Sequence, residues 1–454
     1  MKVTNIFNKK YQSLNKLFFI TPGRGFVQMR AFASLVSLKD ITIMKNKTNL
    51  NNFYWWFVGF SDGVSNFSIV PNYVENYNIN KFYFIFTIGL HKDDKIVLVY
   101  IQKLLDIGYI YETDKECKFI VSDKEGIIKL INIFDKYNLN TTKYLDYLNF
   151  KEAFNLYHNR NGVLTEQLID KLIKLKNGMN SNRTNFDIPA NHIKITAYWL
   201  LGLIEGEGSF NLWRSNLVPA FSIVLTEHQL PVIVKIKEFL IENLGFDENS
   251  IWKLNNSSNI GINIKKTRNN SKSSVLLIIK DIRILHNYLI SFLDQLTFWS
   301  KKAQDFNDFK LICNTVYNGA HKKDPVKSLI LKLSRSMNNF RLSTYSGSIP
   351  AENLTKNERD IIKNALPLVE HLWDGRLRDI NSKKIIYQHD SCIYKIITPK
   401  GEILKIQTVS ESADIVGVNI KTLSKHLDIE FEVNSEYTVL IKNYKIKRIK
   451  IYYN

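Results

Sequence analysis

Apolar positions along the chain change period in a repeating order. Tyr54–Gly63 is a compact apolar stretch that predicts a helix. Phe82, Phe84, Phe86, Ile88 and Leu90 then alternate with other residues, as a half-buried strand does. Ile96–Leu105 returns to helical spacing and stops before Gly108. Ile110–Tyr111 and Phe119–Val121 predict short strands, and Ile127–Tyr137 predicts another helix. The same order recurs from residue 195. Tyr198–Gly206 is a helix, Phe221, Ile223 and Leu225 mark a strand, and Pro231–Leu244 is a helix stopped before Gly245. Ile262–Ile264 and Val275–Ile279 predict strands, and Ile282–Leu293 predicts a helix.

Fixed landmarks turn this likeness into a duplication. Gly59 is matched by Gly202, 143 residues on, and Phe86 by Phe221, 135 on. Asp146, Phe150, Lys151 and Asn155 are matched 159 residues on by Asp305, Phe309, Lys310 and Asn314. Met179, Asn180 and Arg183 are matched 158 on by Met337, Asn338 and Arg341. Changing offsets place insertions in loops between two copies of one unit. The expected fold class is therefore α+β, with tandem αββαββα repeats over residues 52–163 and 193–344. Residues 164–192 connect them, helical over Leu164–Lys176 and polar after that, and long enough to lay the repeats side by side. Residues 345–385, with Gly347, Pro350 and many charges, read as a second linker.

Residues 386–454 read as a separate small module. Asp390–Ile406 suggests a hairpin around Pro399-Lys400-Gly401. In Thr408–Leu427, Ala413 and Gly417 have the spacing of a helix-turn-helix: the alanine lets two helices pack closely and the glycine takes the turn. Its second helix would offer Asn419, Lys421, Thr422 and Lys425 to nucleic acid; a plain structural hairpin is the alternative. The last residues carry Lys442, Lys445, Lys447, Arg448 and Lys450 without an acid, a composition suited to gripping phosphate.

Charge narrows the partners. The 62 Lys+Arg outnumber 43 Asp+Glu among 454 residues, a net +19, which favours a polyanion, nucleic acid first. Cys117, Cys313 and Cys392 are odd in number and far apart, which argues against a disulfide framework or a zinc site. No apolar run approaches the roughly 18 residues of a membrane span. Asn, Ile, Lys, Tyr and Phe crowd the chain, as in Asn76–Ile88, and their codons point to an AT-rich gene such as many organelle genomes carry. Residues 1–39 contain no acid but carry Lys2, Lys9, Lys10, Lys16, Arg24, Arg30 and Lys39. The extension 1–45 therefore reads either as a mitochondrial transit segment or as a disordered basic tail. Mitochondrion is the expected location.

The chemistry concentrates in one duplicated motif, Phe57–Ser65 (FVGFSDGVS) and Leu200–Gly208 (LLGLIEGEG). Gly59 with Gly63, and Gly202 with Gly206, stand four apart and so share a helix face. Glycine costs a helix roughly 1 kcal/mol relative to alanine, a loss that close helix packing would offset. An acid just past such a contact would bring carboxylates of both copies together, an arrangement suited to Mg²⁺ and phosphodiester chemistry.

The two motifs resemble those of the LAGLIDADG family, Leu200–Phe210 most closely, and the resemblance covers about residues 52–345. It implies a pseudo-symmetric monomer with the motif helices at the interface and two four-stranded antiparallel sheets forming a saddle over the major groove of double-stranded DNA. Family members cut long DNA sites with Mg²⁺, assist intron splicing as maturases, or do both. The family's metal-binding acid is the eighth motif position, here Glu207 in the second copy but Val64 in the first. Asp62 is placed beside Glu207 as a metal candidate. It stands two residues earlier, about 200° round a regular helix, so a structural role is its rival. Ser65 replaces a glycine expected in a conformation that serine tolerates poorly. The family's basic residue per repeat falls on Lys143 and Lys302, as transition-state stabilisers or as ordinary phosphate contacts. The helix-turn-helix candidate resembles the small DNA-binding repeats appended to intron-encoded nucleases. The implied function is a homing-type DNA endonuclease, weakened or reduced to nicking by Val64. The rival is an RNA maturase for group I introns that does not cut DNA.

Overall fold

A computed structural model describes residues 49–74, 78–256, 259–267, 272–372, 376–387, 392–427 and 439–450. The chain divides into two units, Met1–Thr48 and Asn49–Asn454. The first, with the expected basic extension, lies outside the described residues.

The second unit opens with α1 (Leu50–Val64), whose first turn is capped by the Asn49 side chain. It runs directly into β1 (Ser65–Tyr73) and β2 (Ile79–His91), followed by α2 (Lys95–Leu105), β3 (Tyr109–Glu112), β4 (Glu116–Val121) and α3 (Lys124–Lys136). Two further helices follow, α4 (Lys143–His158) and α5 (Glu166–Asn177). The second repeat gives α6 (Ala197–Glu207), β5 (Gly208–Trp213), β6 (Val218–Thr226), α7 (Leu230–Asn243), α8 (Glu248–Asn256), β7 (Ile260–Lys265) and β8 (Ser274–Ile279). The helix expected over Ile282–Leu293 forms as α9 (Ile282–Ile284) and α10 (Ile290–Asp294), with one π-helical stretch, Leu285–Leu289, between them. Then come α11 (Lys302–Tyr317) and α12 (Val326–Ser334), the counterparts of α4 and α5.

The strands form two antiparallel four-stranded sheets of identical order, β1-β2-β4-β3 and β5-β6-β8-β7. Their registers repeat as well: Phe67 faces Phe86 and Phe86 faces Val121 in one sheet, as Phe210 faces Phe221 and Phe221 faces Ile279 in the other. Alternation then dictates which side is buried. Phe67, Phe84, Phe86, Ile88 and Phe119 point at the helices, with ring contacts from Phe67 to Phe134 at 5.5 Å and to Phe150 at 5.3 Å. The pseudo-symmetric α+β architecture expected from the duplication is the architecture observed.

Two parts differ from expectation. Residues 345–385 are not a linker. They hold α13 (Lys356–Lys363), opened by a capping box between Thr355 and Glu358, and a three-stranded sheet of β9 (Val369–His371), β10 (Leu377–Asp379) and β11 (Ile385–Tyr387). Their charges are spent inward: Arg359 bonds Asp308 on α11 at 2.5 Å, and Glu358 accepts from Lys332 on α12 at 2.7 Å. His371 stacks on Tyr317 at 3.8 Å between ring centroids. The second difference is α8, which has no counterpart between α2 and β3.

The C-terminal module contains β12 (Cys392–Ile397), β13 (Ile403–Ile406), α14 (Val409–Val416), α15 (Ile420–Leu427), β14 (Val439–Ile441) and β15 (Tyr444–Lys450). The hairpin and the helix pair lie where the sequence placed them. Residues 388–391, 428–438 and 451–454 of this module lie outside the described residues. Ala413 is fully buried against the neighbouring helix and Gly417 takes the left-handed conformation, φ 68° and ψ 42°. The module has its own small core, Tyr394, Ile396, Val416, Leu423 and Ile446 among it. It is moored on α8: the buried Lys253 donates to Cys392 O at 3.0 Å and to Gln407 O at 3.4 Å, and Gln407 donates to Asn256 O at 2.8 Å.

Candidate active site at the helix seam

Helices α1 and α6 pack along their glycine faces. A Cβ placed on Gly59 would stand 1.9 Å from Trp199 O, and one on Gly202 2.1 Å from Trp56 O. Backbone meets backbone here, so no side chain fits. One turn on, the glycines seat the last motif side chains instead: Glu207 Cγ lies 3.3 Å from a Cβ built on Gly63, and Val64 Cγ1 lies 3.2 Å from one built on Gly206. Val64 and Glu207 thus occupy equivalent seats at the same end of the seam. The geometry is duplicated and the chemistry is not.

Asp62 does not reach that end. Its carboxylate is buried and accepts from Asn140 N at 2.7 Å, Thr141 N at 3.0 Å, Thr141 Oγ1 at 2.6 Å and Trp199 Nε1 at 2.8 Å. Four donors fill both oxygens, so the expected metal role of Asp62 is replaced by a structural one. Glu205 repeats the arrangement, accepting from Trp299 N at 2.9 Å, Ser300 N at 2.6 Å, Ser300 Oγ at 2.8 Å and the Trp56 indole. Each motif acid therefore ties down the start of the last core helix of its own repeat and the tryptophan of the other. Burial raises the pKa of Asp62 and pushes that of Glu205 up to about 7, although every donor opposes the shift. The sequence held a signal for these braces that the motif reading passed over: Trp56 and Trp199 each stand three residues before the first glycine.

Glu207 is half-buried. Burial raises its pKa, while Lys143 and Lys302 both pull it down. The structure thus brings Glu207, Lys143 and Lys302 into one electrostatic group, drawn from both repeats. The two lysines differ. Lys143 is half-buried, its pKa lowered by desolvation against the pull of Asp62, Glu207 and Asp146, and its ammonium donates to Ser65 O. Lys302 lines a cavity of about 550 Å³ together with Asp94, Glu205, Gly206, Ser209 and Asn211.

The backbone at Ser65 is unstrained, contrary to expectation. Its φ of −93° and ψ of 167° are extended, and its hydroxyl donates to Ser61 O at 2.7 Å. Gly208 is extended too, so the position does not require glycine for its dihedrals.

Two residues at the site escaped the motif reading. Gln229 of the second repeat accepts from Thr142 N at 3.0 Å and donates to Thr142 Oγ1 at 2.5 Å, at the start of α4. Asp94 of the first repeat takes the matching place at the start of α11, where the Lys301 backbone hydrogen-bonds its raised-pKa carboxyl. The 135-residue offset that pairs Phe86 with Phe221 also pairs Asp94 with Gln229.

The landmarks Asp146 and Asp305 are clamps. Asp146 accepts from Asn180 N at 2.9 Å and Arg183 Nε at 2.8 Å; Asp305 accepts from Asn338 N at 3.0 Å and Arg341 Nε at 2.9 Å. In the C-terminal module Asn419, just before α15, and Lys421, Thr422 and Lys425 within it are all exposed. Among the described residues no three His, Cys, Asp or Glu side chains cluster to hold a metal, and no helix is long and apolar enough to cross a membrane. A divalent ion at the seam would have Glu207 as its carboxylate and would take further oxygens from substrate phosphate and water, a set that suits Mg²⁺.

Comparison with known proteins agrees with the double-repeat architecture. A family profile described as LAGLIDADG endonuclease matches residues 57–154 and 200–313, one stretch in each repeat. A mitochondrial protein of Saccharomyces cerevisiae, RF1, is 27% identical over 70% of this chain and 66% of its own length. A probable intron-encoded endonuclease of Schizosaccharomyces pombe, Cox1-I1b, is 31% identical over 42% of this chain and 50% of its own. The chain thus spans about half to two thirds of these relatives. The crystal structure of the LAGLIDADG homing endonuclease I-GzeII in complex with its DNA target superposes with a TM-score of 0.53 and 22% identity, covering 63% of this chain and 99% of that one.

Proposed function

Because the chain belongs to the LAGLIDADG endonuclease family, we propose that it is a site-specific endonuclease of double-stranded DNA, acting as a monomer in the mitochondrion, with the scissile phosphates at the α1/α6 seam. The observation that carries this reading is geometric: Glu207 seats against Gly63 at that end of the seam, Lys143 donates to Ser65 O beside it, and Lys302 lines the adjoining cavity with Gly206. Glu207 is the residue that would hold Mg²⁺, and a bound ion would supply an activated water and neutralise the leaving oxygen. Lys302, which lines the cavity, would meet phosphate charge directly. Lys143, tied to Ser65 O, is held for a phosphate that displaces that carbonyl. Gln229 and Asp94 fix the starts of the helices that carry these lysines.

Val64 leaves one of the two equivalent seats without a carboxylate, so one strand is cut faster than the other and nicked DNA accumulates. Val64 is also the observation that favours a second reading, in which the chain binds group I intron RNA as a maturase and cuts nothing. One experiment separates them. The purified chain, with Mg²⁺, is given a duplex spanning the insertion site of its own gene and, separately, the surrounding intron RNA. Cleavage of the duplex, abolished in Glu207→Gln, supports the endonuclease. Splicing stimulation with an intact duplex supports the maturase, and cleavage unchanged in Glu207→Gln removes Glu207 from the mechanism.

A further inference from the structure

The two sheets each turn one face to the helices and one away. The register fixes which side chains share the outward face. On the first sheet Val70 lies opposite Tyr83, Ser68 opposite Ile85, and Thr87 with Tyr109 opposite Ile120. On the second, Asn211 lies opposite Ala220, and Val224 and Asn263 both lie opposite Leu276. These are aliphatic, aromatic, hydroxyl and amide groups. Among the described residues no arginine stands on either outward face.

The few charges are already engaged or sit at the ends. Lys81 lies over the Tyr83 ring at 4.8 Å, and Lys118 pairs with Glu116 at 3.2 Å. Arg214, just beyond β5, donates to Ser334 Oγ at 2.9 Å and Ser334 O at 3.1 Å. Lys265 closes the end of β7.

In the major groove guanine is read chiefly by arginine or lysine, adenine by asparagine or glutamine, and the thymine methyl by apolar contact. Resting on the DNA-binding reading above, we infer that the two sheets select A·T-rich duplex DNA. Asn263 supplies an amide for adenine edges; the Asn66 and Asn211 amides, which donate at 2.7 Å to Ser68 Oγ and Ser209 Oγ, join it by exchanging those bonds. Tyr83, Val224 and their neighbours supply apolar surface for thymine methyls. The +19 charge provides attraction for any sequence, and the sheet faces then discriminate against G·C pairs because, among the described residues, they carry no arginine and their lysines are held by Tyr83 and Glu116 or close a strand end.

The test is binding-site selection with the full chain from duplexes randomised across the central segment, with divalent metal chelated so that nothing is cut. A·T pairs should be enriched, and an A·T-rich duplex should bind about tenfold or more tighter than a G·C-rich one of equal length at equal salt. Tyr83 and Val224 are exposed, so Tyr83→Arg and Val224→Arg leave the fold intact, and each should add a G·C preference at a few adjacent positions. A G·C preference in the unaltered chain, no compositional preference, or arginine variants that leave the selected sequences unchanged would each overturn the inference while leaving DNA binding in place. Failure to bind any duplex would instead remove the functional reading beneath it.

Discussion

Replacing Gly202 with alanine tests the seam at its tightest point. The added methyl would lie 2.1 Å from Trp56 O and 2.6 Å from Phe60 N. Carbon does not approach oxygen or nitrogen that closely, so the helices must part by roughly 1 Å at the crossing, and both obstacles are backbone with no rotamer to turn. Forcing extra volume into a packed interior costs about 1–3 kcal/mol. Parting the helices also lengthens the Trp56–Glu205 and Trp199–Asp62 bonds, each worth about 1 kcal/mol. Alanine returns about 1 kcal/mol of helix propensity. The balance is a loss of about 2–4 kcal/mol. Gly206→Ala is the internal control. Its methyl would first meet Val64 Cγ1 at 3.2 Å, a side chain that can move, so gain and loss nearly cancel to within about 1 kcal/mol. Urea unfolding followed by tryptophan fluorescence reads both variants, since Trp56 and Trp199 sit at the crossing. A Gly202→Ala midpoint equal to that of the unaltered chain, or to that of Gly206→Ala, would refute the close-contact account.

Three further outcomes are expected. Glu205 has its folded pKa raised from 4.5 to about 7, so the folded chain holds a proton that the unfolded chain releases, and this contribution to stability is full below 4.5 and lost as pH rises through about 7. Glu205→Gln should flatten that part of the stability–pH profile, and an unchanged slope would assign it elsewhere. Lys253→Met should loosen the C-terminal module by about 1.5–3 kcal/mol, the range for hydrogen bonds to a charged group. Faster hydrogen exchange in β12 and β13, with β1–β8 unaffected, is the readout. Val64→Glu places a carboxylate in a seat that mirrors the one Glu207 already occupies, and should raise double-strand cleavage relative to nicking; a constant ratio on gel would show Val64 to be irrelevant.

The repeats were legible because the same pattern appears twice. Gly59 and Gly202, and Phe86 and Phe221, announce themselves as equivalent, and the glycine spacing already implied a close crossing. The helices α4 and α11 were not read as elements, although Asp146 and Asp305 within them were matched. Their apolar positions, Tyr147, Phe150, Ala153 and Phe154, are diluted by charged neighbours whose partners lie far away in sequence, such as Arg183 at Asp146. The same holds for residues 345–385. A stretch rich in Lys, Glu and Arg reads as solvated until Asp308 and Lys332 are seen to receive those charges. At the site, the lysines were found by offset from a motif. Gln229 and Asp94 were not, because each acts on the opposite repeat and nothing local marks it.

The crossed braces set what can change over time in a chain of this kind. Trp56 answers to Glu205 and Trp199 to Asp62, so losing any one of the four strands a buried partner in the other half. Selection for folding alone preserves these four together. Positions 64 and 207 lie one step further along, on seats that tolerate a valine as readily as a glutamate. A lineage can therefore lose its cutting residue on one side, and in principle on both, while inheriting an undamaged double-repeat scaffold with both sheets still in place. Such a scaffold is a natural starting point for descendants that keep a nucleic-acid grip and put it to another use.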